Sequence, residues 1–131
     1  MGDYHVIETG DLDSWGGKSF VERDLAMRNL GMSVNATPPG GSSPFWHAHA
    51  ALEELYVFLD GHGEMAIDDE IVPVRPGTLV SVGLNAWRAL HCLPDSATPL
   101  KWLCVRAGAD TLEGVGKDAS LDRERPFPWD A

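Results

Sequence analysis

Two imidazoles separated by one residue, with a carboxylate shortly after them, give this sequence its clearest chemical potential: His47, His49 and Glu54. Residues i and i+2 of an extended strand project from the same face, so His47 and His49 converge while Ala48 turns away. Glu54 follows His49 after four residues, at the head of the apolar run 55–59, where it closes a triad carried on a hairpin. Two imidazoles and one carboxylate suit a divalent ion with open coordination positions, whether Fe(II), Mn(II), Ni(II) or Zn(II). The plainer alternative is a pair of exposed histidines beside a turn. Glu53 is the substitute carboxylate if Glu54 faces the wrong way.

The segments that must position these groups read as short strands. Gly and Pro, 14 and 9 residues, punctuate a chain whose intervening pieces are rich in Val, Leu, Phe, Tyr and Trp, which indicates an all-β domain. Strands are expected at 4–8, 20–25, 29–36, 46–49, 55–60, 63–68, 71–74, 78–82, 87–93 and 100–106, with one amphipathic helix over 20–32 as the minor alternative. Asp68, Asp69 and Glu70 form a hairpin corner, and Arg75, Pro76 and Gly77 another turn. In the run 55–59, Leu55, Val57 and Leu59 share one face and Tyr56 and Phe58 the other. Both faces are apolar, which predicts a strand covered on both sides, inside a sandwich or barrel or at a subunit interface. Gly16, Gly17 and Lys18 mark a loose segment.

The histidines and the glycines around them resemble the first motif of the cupin family. Gly41 is followed by five residues and His47, His49 by four and Glu54, and Glu54 by six and Gly61. The resemblance implies a double-stranded β-helix, a jelly-roll barrel that presents a metal to an interior pocket. The second family motif survives only as a frame from Gly77: Gly83 stands for its Pro, Asn85 for its Gly, Arg88 for its ligand His and Cys92 for its Asn. The similarity spans residues 35–107, a little over half of the chain.

If that register holds, Arg88 projects toward Glu54. A guanidinium stays protonated and offers no lone pair to a metal. Arg88 therefore either takes the carboxylate or phosphate of a small ligand beside a three-ligand metal, or pairs with Glu54 and occupies the cation's space. His91, three residues later, is nominally on the opposite face and becomes a fourth ligand only if a bulge redirects it. Trp46, Trp87, Trp102 and Phe58 are expected around the pocket, with core packing as the plainer reading of each. An apolar bowl holding a cation and an Arg suits a small anionic organic molecule. The family resemblance adds oxygenation, isomerisation, epimerisation and decarboxylation as reaction types, with a non-catalytic sensor barrel as the alternative.

Size and charge bound the rest. At 131 residues with 44% hydrophobic side chains, the chain is expected to be a single domain with its core at about 29–107. A polar extension, 108–131, is expected to be largely irregular and to dock Phe127 and Trp129. Twenty acidic against ten basic side chains, a formal charge of −10, disfavour nucleic acid and anionic lipid as partners. No stretch approaches the roughly 20 apolar residues of a membrane-spanning helix, and the start lacks a basic-then-apolar leader. These readings predict a cytoplasmic protein with Cys92 and Cys104 as reduced, packed thiols. The two-faced apolar strands and the family resemblance favour a homodimer.

Overall fold

The computed structural model describes residues 3–108 and 118–130. Among them the chain forms ten strands: β1 Gly17–Phe20, β2 Leu30–Thr37, β3 Trp46–His49, β4 Glu53–Asp60, β5 Gly63–Ile67, β6 Glu70–Val74, β7 Leu79–Val82, β8 Arg88–Cys92, β9 Leu100–Ala107 and β10 Ala119–Asp122. Every pairing is antiparallel. One five-stranded sheet runs β1-β2-β9-β4-β7 and the other β10-β3-β8-β5-β6. The first motif is thereby divided: β3 carries the histidines in one sheet, and β4 carries Glu54 in the other.

Period-two alternation decides what the barrel encloses. Along β4, Glu54, Tyr56 and Phe58 are buried while Glu53 and Leu55 are exposed. The inward residues of both sheets, among them Tyr56, Phe58, Met65, Val82, Leu90, Cys92, Trp102 and Cys104, form one core. Within this chain the expected cover is present on the inner face of β4 only. Leu55 is 39% exposed and its cross-strand neighbourhood on β7 includes Leu79, 63% exposed, so the outer face of this sheet is apolar but open. Between β4 and β5, Gly61 has φ +79, and a Cβ there would collide with the backbone of Pro99 and Leu100. That close approach lets the hairpin turn beneath β9.

Three other expectations change. Residues 4–8 form no strand, and of 20–25 only Phe20 is in one. After Val21 the chain folds into a turn, closed by Leu25 N–H donating to Val21 O and Met27 N–H donating to Glu22 O, with Ala26 at φ +51. Neither the strand nor the helical alternative survives, because Glu22 is drawn down to Arg106 at 2.8 Å. The loose segment around Lys18 is edge strand β1, paired to β2 from Gly17↔Ala36 to Phe20↔Ser33.

The C-terminal extension is more ordered than the sequence implies. Residues 109–117 lie outside the described residues, but Ala119–Asp122 adds β10 to the edge of β3. Beyond it, Phe127 lies 6.1 Å from the Trp46 ring and 5.2 Å from Trp129, while the Arg125 guanidinium sits 4.0 Å over Trp46. These groups cover the outer face of the second sheet, which explains how Trp46 is 1% exposed although it points out of the barrel. Burying an aromatic side chain completely is worth about 1.5–3 kcal/mol, and Phe127 is half-buried. Phe127→Ala is expected to cost about 1–2 kcal/mol in urea unfolding and to red-shift tryptophan emission as Trp46 becomes wet. Unchanged emission would mean that the tail does not cover this face in solution.

Candidate metal centre

The site sits where β3 faces β4. His47 pairs across β3–β8 with Arg88, so both side chains enter the barrel, and Glu54 enters from the opposite sheet. His47 Nε2 lies 3.2 Å from Glu54 Oε1 and His49 Nε2 3.4 Å from Oε2. One ligand atom from each of the three residues fits within a 4.8 Å span. Glu54 and His49 are 4% exposed; His47 is half-buried. The donor set, two ring nitrogens and a carboxylate oxygen meeting at one point, fits a divalent ion of intermediate softness.

Electrostatics fix the charge state of the carboxylate. Burial alone would raise its pKa, but hydrogen bonds with His47 and His49, and one donated by the Tyr56 hydroxyl at 2.7 Å, hold Glu54 far below the ordinary carboxyl range. His47 is shifted down, since loss of solvent outweighs its attraction to Glu54. His49 is also penalised by burial, yet its bonds to Glu54 and Asp118 carry it above the usual imidazole value. Beneath them Cys104 Sγ contacts Glu54 Oε2 at 3.3 Å, and burial with the adjacent anion pushes this thiol well up. Cys104 and Cys92 are both free and buried.

Arg88 is wholly buried, with Nε 3.6 Å from Glu54 Oε1, an ion-pair distance too long for a hydrogen bond. Its Nη1 donates to Ala86 O at 3.0 Å and His47 O at 3.4 Å, whereas Nε and Nη2 have no hydrogen-bond partner among the described residues. Asn85 shows why the degraded second motif still folds. Where the resemblance expects Gly, the backbone has φ +66, a left-handed conformation that Asn tolerates better than most residues.

Two cavities of about 340 and 350 Å³ meet at the triad: His47 and Glu54 line both, with Lys18 and Phe45, and His49 lines the second. Of the aromatics expected around the pocket, Trp102 lines the first cavity. Phe58 lies deeper in the core, and Trp46 and Trp87 belong to the cluster on the outer face. Arg88 does not line either cavity. His91 is no fourth ligand. β8 runs in unbroken register against β5, no bulge turns it, and His91 bonds Glu64 at 2.7 Å and stacks on Trp129 at 4.1 Å outside the barrel. The sequence reading missed Asp118, Tyr56, Lys18 and Cys104 around the site. Tyr56 and Cys104 share the inward parity of Glu54 and Trp102, which is a usable signal, whereas Asp118 has none.

A closed pair of antiparallel sheets with a His-x-His strand facing a glutamate inside defines a double-stranded β-helix with a candidate metal cluster. The family model described as a cupin domain matches residues 35–106, and the chain belongs to the cupin family. It is similar to the crystal structure of a cupin protein from Bacteroides fragilis, with 27% identity, TM-score 0.74, and coverage of 90% of this chain and 95% of that one. A protein from Klebsiella pneumoniae with a double-stranded β-helix domain shares the fold at 16% identity and TM-score 0.63, each chain covered to 90%. An uncharacterized protein of Methanocaldococcus jannaschii is 29% identical over 89 residues, 64% of this chain and 70% of that protein.

The shifts predict a pH profile. Because the folded Glu54 carboxyl titrates far below its ordinary value of 4.5, its ionised form stabilises the fold above that pH, and the contribution is lost as pH falls further. The raised His49 acts in the opposite sense: its contribution is complete below the ordinary 6.5 and fades as pH rises through the shifted value. With chelator present, the melting temperature should drop on acidification below about pH 4.5, and more gently in Glu54→Gln. Parallel acid limbs in the two proteins would contradict the assigned charge state.

Proposed function

We propose that this protein is a small metal-binding cupin in which His47, His49 and Glu54 hold one divalent ion, Fe, Mn, Ni or Zn, beside a pocket for a small anionic organic molecule. The convergence of three donor groups from two sheets, where the two cavities meet, carries this reading. A bound ion would supply Lewis-acid or redox chemistry. The chain's own residues would bind and orient. Lys18, lining both cavities, places a positive charge at the pocket of a chain whose net charge is −10, and Trp102 and Phe45 give the ligand apolar surface.

A second reading has a specific observation behind it. The Arg88 guanidinium, close to Glu54, supports a metal-free binding or sensor barrel in which the Arg88–Glu54 pair stands in the cation's place. At an effective dielectric near 20, unit charges about 4 Å apart interact by roughly 4 kcal/mol. A divalent ion therefore has to outbid a real competitor, and three charged or polar donors give it the means.

Metal analysis of protein purified without added metal, repeated for His47→Ala, separates the readings. One divalent ion per chain, lost in the variant, is expected; no uptake by either protein at micromolar metal would leave the Arg88–Glu54 barrel. Arg88→His should tighten metal binding by about tenfold or more, since it removes a positive charge and adds a ligand from the position across from His47. Unchanged or weaker binding by calorimetry would contradict the placement of Arg88 at the site.

We also propose that two copies pair through the open apolar face around Leu55 and Leu79. Leu79→Lys should convert a dimer to a monomer in light scattering. A monomeric parent protein would contradict it.

A further inference from the structure

Asp118 lies outside the matched family segment, 35–106, yet its carboxylate is tied to the metal candidate by three hydrogen bonds. Oδ1 lies 2.9 Å from His49 Nδ1. Oδ2 accepts from Ala51 N–H at 2.6 Å and from Leu52 N–H at 3.0 Å. The carboxylate is held in place by the chain around it: Ala50 N–H donates to Asp118 O, and the next residue, Ala119, pairs with His49 as β10 docks on β3. An ionised carboxylate only accepts hydrogen bonds, so the proton on this side must belong to His49.

We infer that Asp118 is a positioning residue for the metal centre: it keeps the single proton of neutral His49 on Nδ1, so that the Nε2 lone pair faces His47 and Glu54. The inference rests on the metal reading above and deepens it. Nε2 also faces a carboxylate, Glu54 Oε2, but at 3.4 Å against 2.9 Å to Asp118, so the Nδ1 bond is the stronger, and of the two ring protons of the charged form the one on Nε2 is the first to leave. A ligating imidazole whose other nitrogen donates to a carboxylate is oriented in one tautomer and made more basic, and loss of such a partner typically costs 10–100-fold in metal affinity. Asp118 also fixes the loop 50–52 between β3 and β4, which sets the separation of His49 from Glu54. The C-terminal extension is thus part of the site.

Asp118→Asn tests this without a change in size. The two backbone N–H groups will take the amide oxygen and leave the NH₂ facing His49. That reverses the tautomer, placing the proton on Nε2 and the lone pair away from the metal. Nitrogen-15 NMR of the imidazoles at alkaline pH, in metal-free protein, is expected to show protonated Nδ1 on His49 in the parent and protonated Nε2 in the variant. Zinc titration should show binding weakened by about 10–100-fold in the variant. A parent His49 protonated on Nε2 overturns the inference without recourse to any variant. A variant that binds zinc within twofold of the parent, or that weakens without a tautomer change, also overturns it. If the parent shows the expected tautomer but binds no metal, the metal reading fails and only the orientation of His49 by Asp118 stands.

Discussion

A buried carboxylate shared between two sheets is the constraint around which this barrel is organised. Glu54 enters from β4 and is met by His47 and His49 from β3, by the Tyr56 hydroxyl along its own strand, and by Arg88 from β8. Taking an ionised carboxylate out of water is costly unless its charge is paired and its lone pairs are used. Here several donors repay that cost together, and they do so only if both sheets close in one register. A one-residue slip of β3 would turn both imidazoles outward and Trp46 and Ala48 inward. The functional candidate and the closure of the fold therefore depend on the same contacts.

The outer faces of the two sheets are managed differently. On the second sheet, Trp46, Ala66 and Ala89 are covered by the returning tail through Phe127 and Trp129, and His91 is held between Glu64 and Trp129. On the first sheet the apolar side chains flanking Leu55 remain open. The tail thus has two roles in one passage, sealing an apolar face and carrying Asp118 to the back of His49. Its aromatic residues and its acidic residue act on opposite sides of β3.

Much of this was legible in the sequence, for identifiable reasons. The i, i+2 spacing of His47 and His49 required only strand geometry, and Gly41 and Gly61 at the motif ends fixed the family. Gly61 is where two backbones approach too closely for a side chain. The register of the family resemblance put Arg88 inside, and strand parity counted from it put His91 outside. What pattern could not supply was long-range pairing. Nothing local in the extension says that Asp118 comes to rest 2.9 Å from an imidazole 69 residues earlier. Nor does anything around Glu22 reveal that pairing with Arg106 replaces a strand with a turn. The pocket expectation for Trp46 and Trp87 comes from the family resemblance, which puts their strands around the cavity; strand alternation places Trp46 opposite His47, and core packing is the reading that holds for it.

Direct observation of the cation is the sharpest test of the central claim. Crystals grown with cobalt or zinc, measured at the absorption edge, should show one anomalous peak between His47 Nε2, His49 Nε2 and Glu54, at about 2.0–2.2 Å from each ligand atom, with the Arg88 guanidinium displaced from the carboxylate. Absence of a peak at millimolar metal, with Arg88 closed onto Glu54, would contradict a metal centre and leave the guanidinium as the permanent counter-ion of this site.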